Sequence, residues 1–134
     1  IRETLGGAIP CEPVSTSPTD SHRTKVAIVS LLFNWPSTGG GTVHTAELAK
    51  FLTRDGYSVR HLVVQHSGWQ VGQVQGTIDW PMEFLAFDDP AWRRETILAG
   101  VREALRRDPP DFVILTDSWN FKPRLAEAVG DYPY

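Results

Sequence analysis

The chain has 134 residues, 41% hydrophobic and 22% charged, and a net charge of −3 from 13 Lys and Arg against 16 Asp and Glu. That length suits one domain around one core, and the charge balance excludes a general binder of nucleic acid or anionic membranes. Cys11 is the one cysteine, so an intrachain disulfide and a cysteine metal cluster are both excluded.

Residues 1–23 are rich in Pro, Ser, Thr and Gly and sustain no period, so a leader or linker is expected there. The chain opens on Ile1, as a processed product or a piece of something longer would. No signal peptide is visible, and no apolar stretch approaches the ~18 residues that span a bilayer. A cytoplasmic location is expected.

A continuous apolar run, Val26 to Phe33, reads as a strand over 25–33 covered on both faces, as in a parallel sheet. Gly39, Gly40 and Gly41 follow, then a helical pattern over 41–55 carrying Val43, Ala46, Leu48, Ala49 and Leu52, with Gly56 as its left-handed cap. Residues 57–64 make a second strand and complete a βαβ unit. Residues 65–82, punctuated by Gly68, Gly72, Gly76 and Pro81, predict a long loop with a short ribbon around 70–78. A third strand is expected at 83–87. Asp89 as N-cap and Pro90 as first helical residue predict a helix from there to Arg107, with Ile97, Leu98, Val101, Ala104 and Leu105 toward the sheet. Pro109-Pro110 stops it. A fourth strand is expected over 112–116 and a third helix over 122–129. The alternation implies an α/β fold with a parallel, doubly wound sheet.

In such sheets ligands bind outside the C-terminal strand ends. Residues 34–41, 65–69 and 117–120 should meet there. Strand, glycine turn and helix N-terminus together offer an anion site. No lysine follows the glycines, so a P-loop is excluded. Gln65 and His66 stand where a dinucleotide fold needs its acid, which weakens an oxidoreductase reading. No G-x-S-x-G is present. His22, His44, His61 and His66 do not have a metal spacing, so no metal is expected. His61, inside a strand, reads as structural and His66 as an exposed loop histidine. His44 either packs on the first helix or reaches a ligand on the glycine turn. Asp117 is a helix cap or a ligand-binding carboxylate, and Trp119 a packing aromatic or a platform for a sugar ring. Arg93, Arg94, Arg102, Arg106 and Arg107 read as a solvated helix face.

The run Lys25-Val26-Ala27-Ile28-Val29-Ser30, then Pro36-Ser37-Thr38-Gly39-Gly40-Gly41, then His44-Thr45-Ala46-Glu47-Leu48-Ala49, then Gly56-Tyr57-Ser58-Val59 resembles the start of retaining GT-B glycosyltransferases of family 4. Pro110-Asp111-Phe112-Val113-Ile114-Leu115 resembles the family's later P-D-x-V-x-x-H stretch, with Asp117 or Ser118 near the place of its histidine. The resemblance covers residues 24–134. It implies a Rossmann-like N-terminal, acceptor-side domain, incomplete here, with the family's E-x7-E motif and fifth-strand histidine beyond Tyr134. It implies a nucleotide-sugar donor, an unknown acceptor and no cofactor. The donor or acceptor site would use Gly39, Gly40, Gly41, His44, Asp117, Ser118 and Trp119. No catalytic residue is assigned, and the chain alone is expected to be inactive.

Two other readings remain beside a glycosyltransferase fragment: a non-catalytic α/β binding or interaction domain, and a nucleotide-cofactor oxidoreductase. A raw sheet edge at the first or fourth strand would favour a homodimer.

Overall fold

The computed structural model describes residues 23–116 and 122–134. The elements run β1 (Lys25–Ser30), α1 (Gly40–Arg54), β2 (Ser58–Gln65), β3 (Met82–Ala86), α2 (Arg94–Arg107), β4 (Phe112–Thr116) and α3 (Lys122–Ala128). The sheet is all-parallel in the order β3-β2-β1-β4. This is the expected α/β, Rossmann-like arrangement. β1 is interior, so the raw edge considered for it does not exist; β3 and β4 are the edges. On the outer side of β4, Val113 N–H donates to the Pro133 carbonyl at 2.8 Å.

Side-chain alternation divides the sheet into two faces. Val26, Ile28, Val59 and Val63 pack with Ala46 and Ala49 of α1, and with Phe33 and Trp80. Ala27, Val29, Leu62, Val64 and Val113 pack against Ile97, Val101, Ala104 and Leu105 of α2 and Leu125 of α3. Both faces of β1 are therefore dry, which is why its sequence is an unbroken apolar run. The four α2 residues buried here are those its periodicity marked, with Leu98 half-buried beside them.

Two boundaries and one loop depart clearly from expectation. β1 stops at Ser30 rather than residue 33: Leu32 is 60% exposed while Leu31 and Phe33 are buried, so the chain has left the ladder. α2 starts at Arg94, five residues after the expected cap. The reason lies in the carboxylates. Asp88 accepts from Ser67 N–H at 3.0 Å and from Ser67 Oγ–H at 3.1 Å, and Asp89 sits 3.4 Å from His66 Nε2. Both acids are spent on the loop after β2, so neither caps a helix, and Ala91 N–H closes a turn onto the Asp88 carbonyl instead. In place of a ribbon, residues 66–75 hold an antiparallel bridge between His66 and Val71 and a parallel one between Trp35 and Val74.

Arg60 ties the α2 face together. Its Nη2 donates to Glu83 Oε1 at 2.7 Å and to the Ala104 carbonyl at 3.0 Å, and its Nη1 to the Asp108 carbonyl at 2.8 Å. The guanidinium thus satisfies carbonyls at the end of α2, where positive charge is favoured. Arg60→Met keeps the stem and deletes the head. It should cost about 2 kcal/mol in urea unfolding, typical of hydrogen bonds to a charged group; an unchanged midpoint would remove Arg60 from this role.

Candidate binding site

The chain passes from β1 outward to β2 and β3, then returns to the other side of β1 as β4. The switch point lies between β1 and β4, and a ligand crevice is expected beyond their C-terminal ends. Ser30 and Thr116 close these two strands and are register partners. Ser30 Oγ stands 2.8 Å from His61 Nε2 and 2.7 Å from Thr116 Oγ1. His61 Nδ1 accepts from the Trp80 indole N–H at 3.1 Å, and Thr116 Oγ1 donates to the Val29 carbonyl at 3.2 Å.

The direction of this chain follows from its first member. An indole can only donate, so His61 Nδ1 is the bare nitrogen and the neutral ring carries its proton on Nε2. That N–H donates to Ser30, Ser30 to Thr116, and Thr116 to a backbone carbonyl. The Ser30–His61 distance is that of a nucleophile and its base, but the proton runs the wrong way, and Ser30 is fully buried. The pair is structural, as the strand position of His61 predicts.

Burial lowers the His61 pKa from 6.5 to about 4. Protonation would also set an N–H against the Trp80 N–H. The native ring stays neutral where the unfolded ring has gained a proton. This contribution to stability is complete above pH 6.5 and is lost as pH falls toward 4, by about 3 kcal/mol in all. Urea midpoints at pH 7 and pH 4.5 should show this loss, and His61→Phe should abolish most of the difference. An equal drop in His61→Phe would assign it to other groups.

The glycine turn lies on the α1 side of the sheet. Gly39 is the N-cap of α1, extended at φ −73° and ψ 131°, with no side-chain cap bond and no acid in the first turn. Its own N–H donates to Ser37 Oγ at 2.9 Å. The first intrahelical bond runs from Val43 N–H to the Gly39 carbonyl, so the N–H groups of Gly40, Gly41 and Thr42 are unclaimed by the helix. Gly39, Gly40, Gly41 and His44 are all exposed. A Cβ added at Gly40 or Gly41 would meet nothing within 4 Å, and neither residue has a positive φ. The fold does not require glycine at these two positions.

The loops after β1 and β2 are stitched together beside this turn. Trp35 N–H donates to the Gln73 carbonyl at 2.8 Å, Gln75 N–H to the Trp35 carbonyl at 2.9 Å, and Gln73 N–H to Asn34 Oδ1 at 2.8 Å. Gly72 supports the second loop at φ +76°, where a Cβ would lie 2.4 Å from the Val64 carbonyl oxygen. Between the loops is a cavity of about 330 Å³ lined by Asn34, Trp35, Pro36, Gln70, Gln73 and Gln75.

His66 corrects an expectation: it is buried at 3% exposure, not an exposed loop residue. Its ring packs at 5.1 Å from Trp69 and 5.0 Å from Trp92, and Nδ1 accepts from Trp69 N–H at 3.2 Å. The hydrogen bonds from Ser67 hold the Asp88 carboxyl below its usual pKa. This cluster anchors the loop to the segment after β3. Among the described residues no three His, Cys, Asp or Glu groups gather to hold a metal, and no helix is long and apolar enough to cross a membrane.

Of the expected site residues, Gly39, Gly40, Gly41 and His44 share the N-terminal end of α1. Asp117, Ser118 and Trp119 lie outside the described residues. Of the cavity amides, Asn34 falls within the expected segment 34–41, whereas Gln70, Gln73 and Gln75 were missed. Neutral amides in a glycine-punctuated loop carry no periodic or charge signal, and only their clustering in the fold marks them.

No protein-family model, curated protein or solved structure matches this chain in the comparisons made.

Proposed function

We propose that the chain is the acceptor-side portion of a GT-B glycosyltransferase, which moves a sugar with retention from a nucleotide-sugar donor to an acceptor. The observation that carries this reading is the pair Gly40 and Gly41. In a helix each costs about 0.5–1 kcal/mol relative to alanine, and here neither steric space nor backbone angle asks for glycine. A ligand group closing on the main chain does ask for it. Three N–H groups unclaimed by the helix, with no acid in its first turn, favour an anion such as the donor's diphosphate. The order of motifs from Lys25 to Leu115 supports the same family.

In this reading the turn stabilises charge developing on the leaving diphosphate. His44, exposed one turn into α1, would touch the same ligand. The donor's nucleoside would be held by a second domain, supplied by the rest of the gene product or by a partner chain. A second reading, a non-catalytic binding domain with the same anion turn, draws on the structural nature of the Ser30–His61 pair, which leaves no described nucleophile.

The native gene product should release nucleoside diphosphate from one member of a nucleotide-sugar panel when an acceptor is present. The double variant Gly40→Ala, Gly41→Ala separates the readings further. It should raise stability by about 1 kcal/mol while weakening nucleotide-sugar binding at least about tenfold. Undiminished binding in the double variant would contradict the assignment of the turn. Binding without turnover by the native product would favour the second reading.

A further inference from the structure

Among the described residues, the cavity between the loops after β1 and β2 is walled by four carboxamides, one indole and one proline, and by no ionisable side chain. Its shape is set by the main chain: Trp35 is bonded on both sides to residues 73 and 75, and Asn34 Oδ1 is fixed by Gln73 N–H. That bond turns the Asn34 amide N–H pair free for another acceptor. Among the described residues the carboxamides of Gln70, Gln73 and Gln75 have no hydrogen-bond partner, and all three residues are exposed. Gln70 holds a left-handed φ of 55°, a conformation disfavoured for a side chain of this kind and concentrated at functional sites. Trp35 is braced by Phe33 at 6.2 Å and Trp80 at 6.0 Å, so the aromatic wall is rigid.

We infer that this cavity binds a neutral carbohydrate. Each sugar hydroxyl both donates and accepts, and each carboxamide offers two N–H donors and one carbonyl acceptor. Four such groups converge on one hollow, beside an indole suited to the apolar face of a pyranose ring. The volume of about 330 Å³ is at the small end of ligand pockets, the scale of one or two sugar units. With no cation among the described residues of its walls, the cavity favours a neutral ligand over a diphosphate or a uronate carboxylate. The site is separate from the glycine turn, and its ligand binds there whether or not a sugar is transferred.

The test is a titration of the ¹⁵N-labelled protein with methyl α-glucoside, methyl α-mannoside, methyl β-galactoside, maltose, glucuronate, uridine and guanosine, followed through side-chain amide resonances. At least one neutral glycoside should shift the amide pairs of Asn34, Gln70, Gln73 and Gln75, with a Kd on the order of millimolar that does not change with salt. The double variant Gln73→Ala, Gln75→Ala removes two exposed side chains and no backbone bond. It should weaken that binding at least about tenfold while its backbone spectrum stays folded. Three results would each overturn the proposal: no neutral glycoside moves these resonances, a nucleoside or glucuronate moves them in preference, or the double variant binds as tightly as the parent. None of these outcomes bears on nucleotide-sugar binding at Gly40 and Gly41.

Discussion

A buried histidine that can face only one way joins the parts of this domain. His61 accepts a hydrogen bond from the Trp80 indole N–H on one side and donates one to Ser30 on the other. Through Ser30 and Thr116 the same line of hydrogen bonds reaches β4 and ends on the Val29 carbonyl. It therefore crosses β2, β1 and β4 at the level where ligands enter doubly wound sheets. Each link is buried or partly buried, so breaking one would strand a polar group in a dry interior. The neutrality of His61 is what allows the line to exist.

The same residues brace the aromatic wall. Phe33 meets His61 edge-on at 4.7 Å, Trp80 stacks at 6.4 Å, and Trp35 packs on both Phe33 and Trp80. The core of the α1 face thus runs without a break into the rim of the cavity. On that rim two unlike surfaces stand side by side. The glycine turn offers bare backbone donors and suits an anion. The loop junction offers uncharged amides and suits hydroxyls.

The sheet was legible because β1, β2 and β4 are apolar runs bounded by breakers, and α2 has a clean helical stripe of Ile97, Val101, Ala104 and Leu105. The glycine turn was legible because three glycines before a helix are a local signal. The start of α2 was misread because Asp89-Pro90 carries a good local capping pattern, and only the fold shows Asp88 and Asp89 committed to Ser67 and His66. His66 was misread for the same reason: its burial comes from Trp92, distant in sequence. The Ser30–Thr116 contact and the amide cavity depend on which strands become neighbours, and no local pattern encodes that.

The central claim is that ligands bind at the C-terminal strand ends. A second hollow of about 210 Å³, lined by Thr24, Asp55, Gly56 and Tyr57, lies at the opposite end of β1 and β2. Mapping backbone amide shifts while a nucleotide sugar is titrated into the native gene product distinguishes the two ends. The account predicts shifts at Gly39, Gly40, Gly41 and His44, spreading to residues 34–36 and 70–75. Shifts centred on Thr24 and residues 55–57, or none at the glycine turn, would contradict it.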